Sequence, residues 1–214
     1  AVTTPVDNNP SANNVDENTA NGTVVGVTAY AFDADGTNNS VSYALVADAG
    51  GRFAIDSVAG VVTVADGTLL DRETAASHNI TVRATSTDGS IADSVLTINI
   101  NDLDEFDTGS ITDINATANT VAENAIVGAA VGITANAADA DATTNAITYT
   151  LDDDAGGLFA INSVTGIVTV ADALDYETAI SHGITVRATS ADGSFSTQAF
   201  TINVTDVNES GVTA

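Results

Sequence analysis

Apolar and polar residues alternate one by one along short stretches of this chain, and no stretch carries a sustained apolar stripe at helical spacing. In "NITVRAT", the residues Ile80, Val82 and Ala84 alternate with polar neighbours, and "SVLTINI" repeats the pattern with Leu96 and Ile98. Alternation with a period of two places one side of an extended strand on a core and the other side in water. Turn sequences such as "NG", "AGG" and "DG" separate the runs at the spacing of a sandwich. The pattern predicts an all-β protein.

The same pattern occurs twice in the chain. The segment "RFAIDSVAGVVTVAD" returns as "LFAINSVTGIVTVAD", and "SHNITVRATSTDGS" returns as "SHGITVRATSADGS". Glu17 and Glu123 are 106 positions apart, whereas Asp71 and Asp175 are 104 positions apart, so the second copy has lost two residues in between. Self-similarity at this spacing indicates two homologous domains.

Each copy has the length and turn spacing of a sandwich of about seven strands. We therefore predict an N-terminal linker over residues 1–12, a first domain over residues 13–105 and a second domain over residues 106–214. Both domains are predicted to be seven-stranded Greek-key β-sandwiches of immunoglobulin-like architecture.

The composition narrows the range of partners. The 214 residues include 29 acidic side chains and four arginines but no lysine, which gives a formal net charge of -25. Such a chain is a poor ligand for nucleic acid or anionic membranes, because binding to phosphates needs basic side chains. With 44% hydrophobic residues it can form cores, and without cysteine it depends on neither disulfides nor thiolate metal sites.

Two further classes of function lack support in the sequence. No nucleophile motif such as G-x-S-x-G and no glycine-rich phosphate loop is present, so we expect no enzyme activity. No apolar run is long enough to span a bilayer and no signal peptide precedes the repeats, so we expect no membrane insertion and an excerpt or mature segment.

The joint between the two copies, "NDLDEFD", is crowded with carboxylates. Asp102, Asp104, Glu105 and Asp107 fall within six positions, and no arginine lies nearby in the sequence. Unneutralised like charges oppose a compact arrangement. The crowding therefore suggests a cation that these side chains share.

Other acidic residues are predicted to converge on this joint, because the loops of a sandwich cluster at its two ends. The first domain contributes Glu17, Asp71 and Glu73 at one end. The second contributes "DAD", in which Asp139 and Asp141 project to the same side of an extended segment. Calcium takes six to eight oxygen ligands from carboxylates, amides and carbonyls, which this set supplies without histidine or cysteine.

Five ordered motifs occur in each copy, and together they resemble the cadherin repeat. They are "EN", "DxD", "LDRE" or "LDYE", "VxA" and a closing "D-x-[ND]-E". More specifically, the chain resembles the cadherin-like repeats of long bacterial surface proteins, such as RTX-type adhesins and biofilm proteins. It covers both copies almost end to end, and it implies two to three calcium ions at the junction between the repeats.

The resemblance also implies which residues bind these ions. For the first two ions, the implied ligands are Glu17, Asp71, Glu73, Asp102, the carbonyl group of Leu103, Glu105 and Asp141. For the third ion they are Asp104, the carbonyl group of Phe106, Asp139, Asp141 and the carbonyl group of Asn145. Glu105 stands where the family usually has aspartate. The family usually also has aspartate directly after "VxAx", where this chain has Ser86 and Ser190; Asp192, two residues after Ser190, is expected to substitute for it.

The outer ends of the pair are expected to be weak or partly occupied half-sites. Asp33 and Asp35 form one half, opposite an N-terminal segment that is poor in acids. The other half is made by the following residues: Glu123, Asp175, Glu177, Asp206, Asn208 and Glu209.

We predict a calcium-binding extender segment of a bacterial cell-surface or secreted adhesin, in which junction ions make a stiff rod of adjacent repeats. Two alternatives remain, a polysaccharide-binding module and calcium-dependent contact with another copy of the chain in cell adhesion. Four recurrent aromatic residues are expected to pack in cores, which weakens the polysaccharide reading: Tyr43, Phe53, Tyr149 and Phe159. The absence of tryptophan excludes adhesion by exchange of a strand that carries one. Arg83 and Arg187 are expected to pair with acids across a sheet, and His78 and His182 to be structural.

Overall fold

Two units make up the chain in the computed structural model, Ala1–Leu103 and Asp104–Ala214. The structure describes residues 1–208, so the predicted half-site residue Glu209 lies outside the described residues. The boundary falls between Leu103 and Asp104, two residues before the predicted one.

Unit 1 consists of two four-stranded sheets. Its strands are β1 (Val6–Asp7), β2 (Asn14–Asp16), β3 (Val24–Tyr30), β4 (Val41–Ala47), β5 (Phe53–Ile55), β6 (Val61–Val64), β7 (Ser77–Ser86) and β8 (Ile91–Asn101). One sheet has the order β1-β3-β6-β5 and the other β2-β8-β7-β4. All pairs are antiparallel except β2 with β8, which is parallel. A 3₁₀ turn over Gly67–Leu69 connects β6 to the segment before β7.

Unit 2 repeats this architecture. Its strands are β9 (Thr112–Asp113), β10 (Thr120–Ala122), β11 (Ala130–Asn136), β12 (Thr148–Asp153), β13 (Phe159–Ile161), β14 (Ile167–Val170), β15 (Ser181–Thr189) and β16 (Phe195–Thr205). The sheets have the orders β13-β14-β11-β9 and β10-β16-β15-β12, and β10 pairs in parallel with β16. The predicted all-β tandem of sandwiches is confirmed.

The first strand of each unit is divided between the two sheets. In unit 1, β1 pairs with β3 in one sheet, and β2 pairs with β8 in the other. Counted as one interrupted strand, the two pieces give the predicted seven strands per sandwich. Residues 1–12, predicted as a linker, are instead part of unit 1, because they contain β1 and the buried side chain of Val2.

The alternating residues identified in the sequence form the core of each sandwich. In unit 1, Ile80, Val82, Ala84 and Ile98 are all fully buried, and Leu96 packs against them. Unit 2 contains a separate core of the same design. Burial of each large aliphatic side chain contributes about 1.5–3 kcal/mol of hydrophobic stabilisation.

Polar residues on the outer sheet faces form the expected ion pairs. Arg83 on β7 pairs with Asp93 on β8 at 2.7 Å, and Arg187 on β15 pairs with Asp152 on β12 at 2.7 Å. Within residues 1–208, no helix has the length and hydropathy needed to cross a bilayer.

Candidate metal centre

The strand order of unit 1 places three acidic side chains together at one end of its sandwich. Strands β2 and β8 run in parallel with Asp16 opposite Asn101, so Glu17 and Asp102 leave neighbouring strands side by side. Glu73 precedes β7, which is antiparallel to β8. Strand β7 begins opposite the last residues of β8, with Ser77 paired to Asn99. Carboxylate oxygens of Glu17, Glu73 and Asp102 all lie within 4.8 Å of one another, and we call this set the unit-1 Glu cluster.

Glu17 is the buried centre of this cluster. Its side chain is only 1% exposed. Its Oε2 accepts a hydrogen bond from the backbone N–H of Arg72 at 2.5 Å, and its Oε1 accepts one from the N–H of Leu103 at 2.8 Å. A carboxylate has about four lone-pair positions, so both oxygens keep capacity for a cation.

Asp71 is not brought into the cluster, although the resemblance implies it as a ligand. Its Oδ1 accepts from the N–H of Thr74 at 2.8 Å and its Oδ2 from the Thr74 hydroxyl at 2.9 Å. These hydrogen bonds, the backbone one first, lower the pKa of Asp71 because they stabilise its charged form. In this structure the carboxylate therefore stabilises the turn that carries Glu73.

In unit 2, three acidic side chains converge at the end of the sandwich where β11 ends and where a turn connects β15 to β16. Carboxylate oxygens of Asp104, Asp141 and Asp192 lie within 4.8 Å of one another, and we call this set the unit-2 Asp cluster. The hydroxyl group of Tyr149 accepts from the N–H of Ala137 at 3.0 Å, which anchors the segment leading to Asp141 to the core.

Asp141 holds this cluster together from a buried position. It is 1% exposed, and its Oδ1 accepts hydrogen bonds from the N–H groups of Glu105 at 3.2 Å and Phe106 at 3.3 Å. Its Oδ2 is buried without a hydrogen-bond partner, and so is Oδ2 of Asp139. Buried carboxylate oxygens are costly unless they are paired or bound to a metal, so this arrangement fits a cation.

The electrostatics of the cluster point the same way. The pKa of Asp104 is raised, first because partial desolvation disfavours the charged carboxylate. A side-chain hydrogen bond with Asp141 and the negative charges of Asp192, Asp141 and Asp139 raise it further. A divalent cation would reverse this effect, because it stabilises the charged form of each carboxylate.

The residues whose carbonyl groups are predicted ligands form hydrogen bonds with the clusters or lie next to them. Leu103 is held through its N–H to Glu17, and Phe106 through its N–H to Asp141. The side-chain amide of Asn145 donates to the carbonyl group of Asp141 at 2.6 Å. Their carbonyl groups, like the whole implied ligand set, remain predicted ligands.

Each unit also has an acidic cluster at its other end. In unit 1, Asp33, Asp35 and Asp88 form such a set, and the amino nitrogen of Ala1 lies 3.1, 3.6 and 3.8 Å from their carboxylates. Sequence reasoning missed Asp88, although it occupies the same repeat position as Asp192. The set in unit 2 contains three of the predicted half-site residues: Glu123, Asp175 and Glu177.

The chemistry of these clusters is uniform. All four consist of carboxylates, without histidine or cysteine. Hard oxygen donors of this kind suit calcium or magnesium and do not suit softer metals. The fold and the clusters therefore define a class of tandem β-sandwich domains with acidic ends.

The family follows from comparison with known proteins. The model of the cadherin domain matches residues 12–101 and 118–205, so the chain belongs to the cadherin family and contains two cadherin domains. Cadherin domains are extracellular adhesion modules and generally bind calcium at the junctions between repeats. They are not enzymes, which confirms the expectation of no catalytic function.

Several animal proteins are similar to this chain. Human Protocadherin Fat 1 is 32% identical over 213 residues, which are 94% of this chain and 4% of that protein. Rat Cadherin-23 is 37% identical over 165 residues, 74% of this chain and 5% of that protein. The chain thus spans about one twentieth of these relatives. Among solved structures, mouse Cadherin-23 EC22-24 matches with a TM-score of 0.73 and 26% identity, covering 96% of this chain and 68% of that one.

Proposed function

We propose that the two domains are a calcium-dependent extender segment of a long extracellular adhesin. In this proposal, calcium ions shared by the unit-1 Glu cluster and the unit-2 Asp cluster stiffen the connection between the domains. Without calcium, the charges of the two clusters repel each other, and the domains swing about the connecting residues.

One observation carries the proposal: the two clusters belong to different units but are joined by a single residue. Asp102 belongs to the first cluster, Asp104 to the second, and only Leu103 separates them. Two residues of extended chain span at most about 7 Å, so the covalent chain keeps the Cα atoms of these aspartates within that distance. Side chains attached so closely can reach the same ions, since calcium binds oxygens at about 2.3–2.6 Å.

The buried carboxylate oxygens support a cation rather than a solvated acidic surface. Oδ2 of Asp141 and Oδ2 of Asp139 have no hydrogen-bond partner. When bound, calcium would neutralise these oxygens and join them to ligands from unit 1. Extracellular modules bind calcium with dissociation constants of about 10⁻⁴–10⁻³ M. At ten times that concentration, each independent site would stabilise the folded state by about 1.4 kcal/mol.

The test compares Asp102→Asn with Asp206→Asn. Asp206 occupies the repeat position of Asp102 but follows β16, away from the junction. We expect Asp102→Asn to lose at least one site in calcium titration calorimetry, and Asp206→Asn to keep the junction sites. Small-angle X-ray scattering of the wild type should show a larger maximum dimension and a narrower distribution of shapes in millimolar calcium than in EGTA. Identical scattering curves in the two buffers would end the rod proposal.

For the host protein, we keep the proposal of a long bacterial surface adhesin of the RTX type, acting in biofilms. Its support is the resemblance of the repeat motifs described above. The relatives that match are animal proteins. Adjacent cadherin repeats are the partners that the extender role requires.

A second candidate function is polysaccharide binding, which one surface of unit 1 favours. Tyr30 and Phe32 are 50% and 52% exposed, and Val6, paired with Tyr30, is 54% exposed. The four aromatic residues that were expected to pack in cores are buried, whereas these two are exposed. Aromatic rings of this kind can stack on sugar rings, and the net charge favours a neutral polymer. Loss of glycan retention in Tyr30→Ala, but not in the equally exposed Phe195→Ala, would support this function.

A further inference from the structure

The same surface turn occurs near the start of each unit, between the two pieces of the divided first strand. In unit 1 it lies between β1 and β2 and contains "NPS" at residues 9–11. In unit 2 it lies between β9 and β10 and contains "NAT" at residues 115–117. The two asparagines are 106 positions apart, which is the repeat spacing in this part of the chain.

In both copies the asparagine side chain closes the turn through its oxygen. Oδ1 of Asn115 accepts from the N–H of Thr117 at 3.0 Å, and Oδ1 of Asn9 accepts from the N–H of Ser11 at 3.0 Å. The N–H of each asparagine donates to the carboxylate of the aspartate two residues earlier, at 2.9 Å. These are Asx turns, in which a side-chain oxygen takes the place of a backbone carbonyl group. The amide nitrogen Nδ2 takes no part in closing them.

The two turns differ in the residue that follows the asparagine and in the contacts of Nδ2. Pro10 follows in unit 1, and Ala116 follows in unit 2. In unit 1, Nδ2 of Asn9 donates to the hydroxyl group of Thr28 at 3.5 Å. In unit 2, Nδ2 of Asn115 donates no hydrogen bond to any of the residues that the structure describes.

The turn of unit 2 lies on the surface. Ile114 is 63% exposed, and Ala116 and Thr117 are exposed as well. The hydroxyl group of Thr117 forms no hydrogen bond within residues 1–208. None of these residues belongs to an acidic cluster, so the turn is separate from the candidate metal centre.

The residues of this turn match a known acceptor sequence. Asparagine, then any residue except proline, then serine or threonine is the sequence to which asparagine-linked glycans are attached in surface loops of secreted proteins. Cadherin domains are extracellular modules, which fits such a modification. Ala116 completes the sequence in unit 2, whereas Pro10 excludes it in unit 1.

Other triplets of this kind in the chain are engaged in the fold or differ in backbone. They begin at Asn21, Asn38, Asn79, Asn203 and Asn208. Asn79 and Asn203 lie inside β7 and β16. In the triplet of Asn21, the side-chain oxygen accepts from the N–H of Gly67 at 2.9 Å, and the hydroxyl of Thr23 donates to a backbone carbonyl group at 2.7 Å. The turn at Asn115 instead keeps both the amide nitrogen and the hydroxyl group without such bonds.

We propose that Asn115 is an acceptor for an asparagine-linked glycan and that Pro10 closes the equivalent position of unit 1. The donor is a sugar activated as a diphosphate ester of a nucleotide or a lipid. Nδ2 forms a bond to C1 of the sugar, the bond from C1 to the diphosphate oxygen breaks, and the diphosphate leaves with that electron pair. One amide proton passes to a base of the transferase, and nothing is oxidised or reduced. The inference is independent of calcium binding.

The test has two arms, which distinguish the two kinds of donor. In one arm, the whole chain is secreted from animal cells, which use lipid-linked sugars, together with a control protein that has one acceptor. In the other, the folded chain is incubated with a soluble N-glycosyltransferase and UDP-glucose, beside a short acceptor peptide. Peptide mass spectrometry locates the sugar. We expect sugar on Asn115 in at least one arm and none on Asn9 in either.

Three variants test the role of each residue. Ala116→Pro should lose the sugar, and unit 1 shows that this turn accommodates proline. Thr117→Ala removes the hydroxyl group but keeps the N–H that closes the turn, so it should lose the sugar without a change in melting temperature. Pro10→Ala should gain sugar on Asn9, because Ser11 supplies the hydroxyl group.

The outcomes decide both parts of the inference. No sugar on Asn115 in either arm, with the control acceptors modified, would overturn the assignment of the site. Undiminished sugar on Asn115 in Ala116→Pro or in Thr117→Ala would also overturn it. Sugar on Asn9 of the wild type, or none on Asn9 of Pro10→Ala, would overturn the role of Pro10.

Discussion

Replacing Glu17 by alanine should destabilise unit 1 even when no calcium is present. The buried carboxylate accepts hydrogen bonds from the N–H groups of Arg72 and Leu103, which belong to segments far apart in the sequence. Alanine leaves both donors without their acceptor. The end of β8 and the turn before β7 are then no longer connected through Glu17.

The size of the effect follows from the two hydrogen bonds. Each hydrogen bond to a charged group contributes about 1.5–3 kcal/mol, so losing two costs about 3–6 kcal/mol. Removing a buried charge also removes its own desolvation cost, which offsets part of this loss. We therefore expect a decrease of about 3 kcal/mol in the free energy of unfolding of unit 1. For a domain of this size, that corresponds to a fall in the melting temperature of about 12 °C.

Hydrogen exchange measured by mass spectrometry in EGTA resolves the two units, because their peptides are distinct. Peptides from unit 1 of Glu17→Ala should exchange at a lower denaturant concentration than those of the wild type, while peptides from unit 2 should not change. Asp16→Asn is the control, since it removes a neighbouring charge from an exposed residue and should shift stability by less than about 0.5 kcal/mol. Equal stability of Glu17→Ala and Asp16→Asn in EGTA would refute the structural role of the buried carboxylate.

Two other substitutions test the packing and the titration of unit 1. A Cβ atom at Gly67 would overlap the backbone carbonyl group of Thr19, so Gly67→Ala should lower stability by about 2 kcal/mol in urea denaturation, whereas Gly36→Ala, which meets nothing within 4 Å, should be neutral. The pKa of His78 is lowered by burial and then by the charge of Arg52, so the unfolded chain binds a proton more readily than the folded one. Stability should therefore fall as pH drops below about 6.5, the ordinary pKa of histidine, and His78→Phe should reduce this fall in melting curves at pH 7.5 and 5.5. An unchanged pH dependence in the variant would contradict this.

The fold was predictable because the alternation of apolar and polar residues and the repeat of the whole pattern can both be read directly from the sequence. The alternation of Ile80, Val82 and Ala84 predicts one buried strand face, and the structure buries that face. Glu17 and Asp102 could be assigned to one end of the sandwich, because loops gather at its ends. That these two residues leave parallel neighbouring strands depends on the pairing of β2 with β8, which no local pattern encodes.

Where the structure departs from the expectation, a nonlocal contact or a competing local one is the reason. Residues 1–12 look like a linker because they are polar and contain two prolines, but β1 gains hydrogen bonds from β3. Asp71 carries the expected motif, and in this structure the N–H and hydroxyl of Thr74 hold its carboxylate outside the unit-1 Glu cluster. Its role as a ligand stays a prediction. Tyr30 and Phe32 lie on the outer side of their segment, which amino-acid content alone does not reveal.

Comparison of the two units separates contacts that differ between the repeats from contacts that are the same in both. On the sheet face, Arg83 pairs with Asp93 on the next strand in sequence, whereas Arg187 pairs with Asp152 on the strand at its other side. The acidic partner of this arginine can therefore come from either neighbouring strand.

At the ends of the sandwiches, the same backbone groups recur without exchange. Glu17 accepts from the N–H of Arg72 and Glu123 from that of Tyr176, which stand at the same position of the repeat. Each glutamate accepts a second hydrogen bond from an N–H just beyond the last strand of its unit, that of Leu103 or that of Val207. The ion-pair partner on the sheet face thus differs between the units, whereas the backbone donors at the ends are the same. This difference is expected if the ends hold carboxylates in a fixed geometry. The calcium sites proposed above need carboxylates that are fixed in this way.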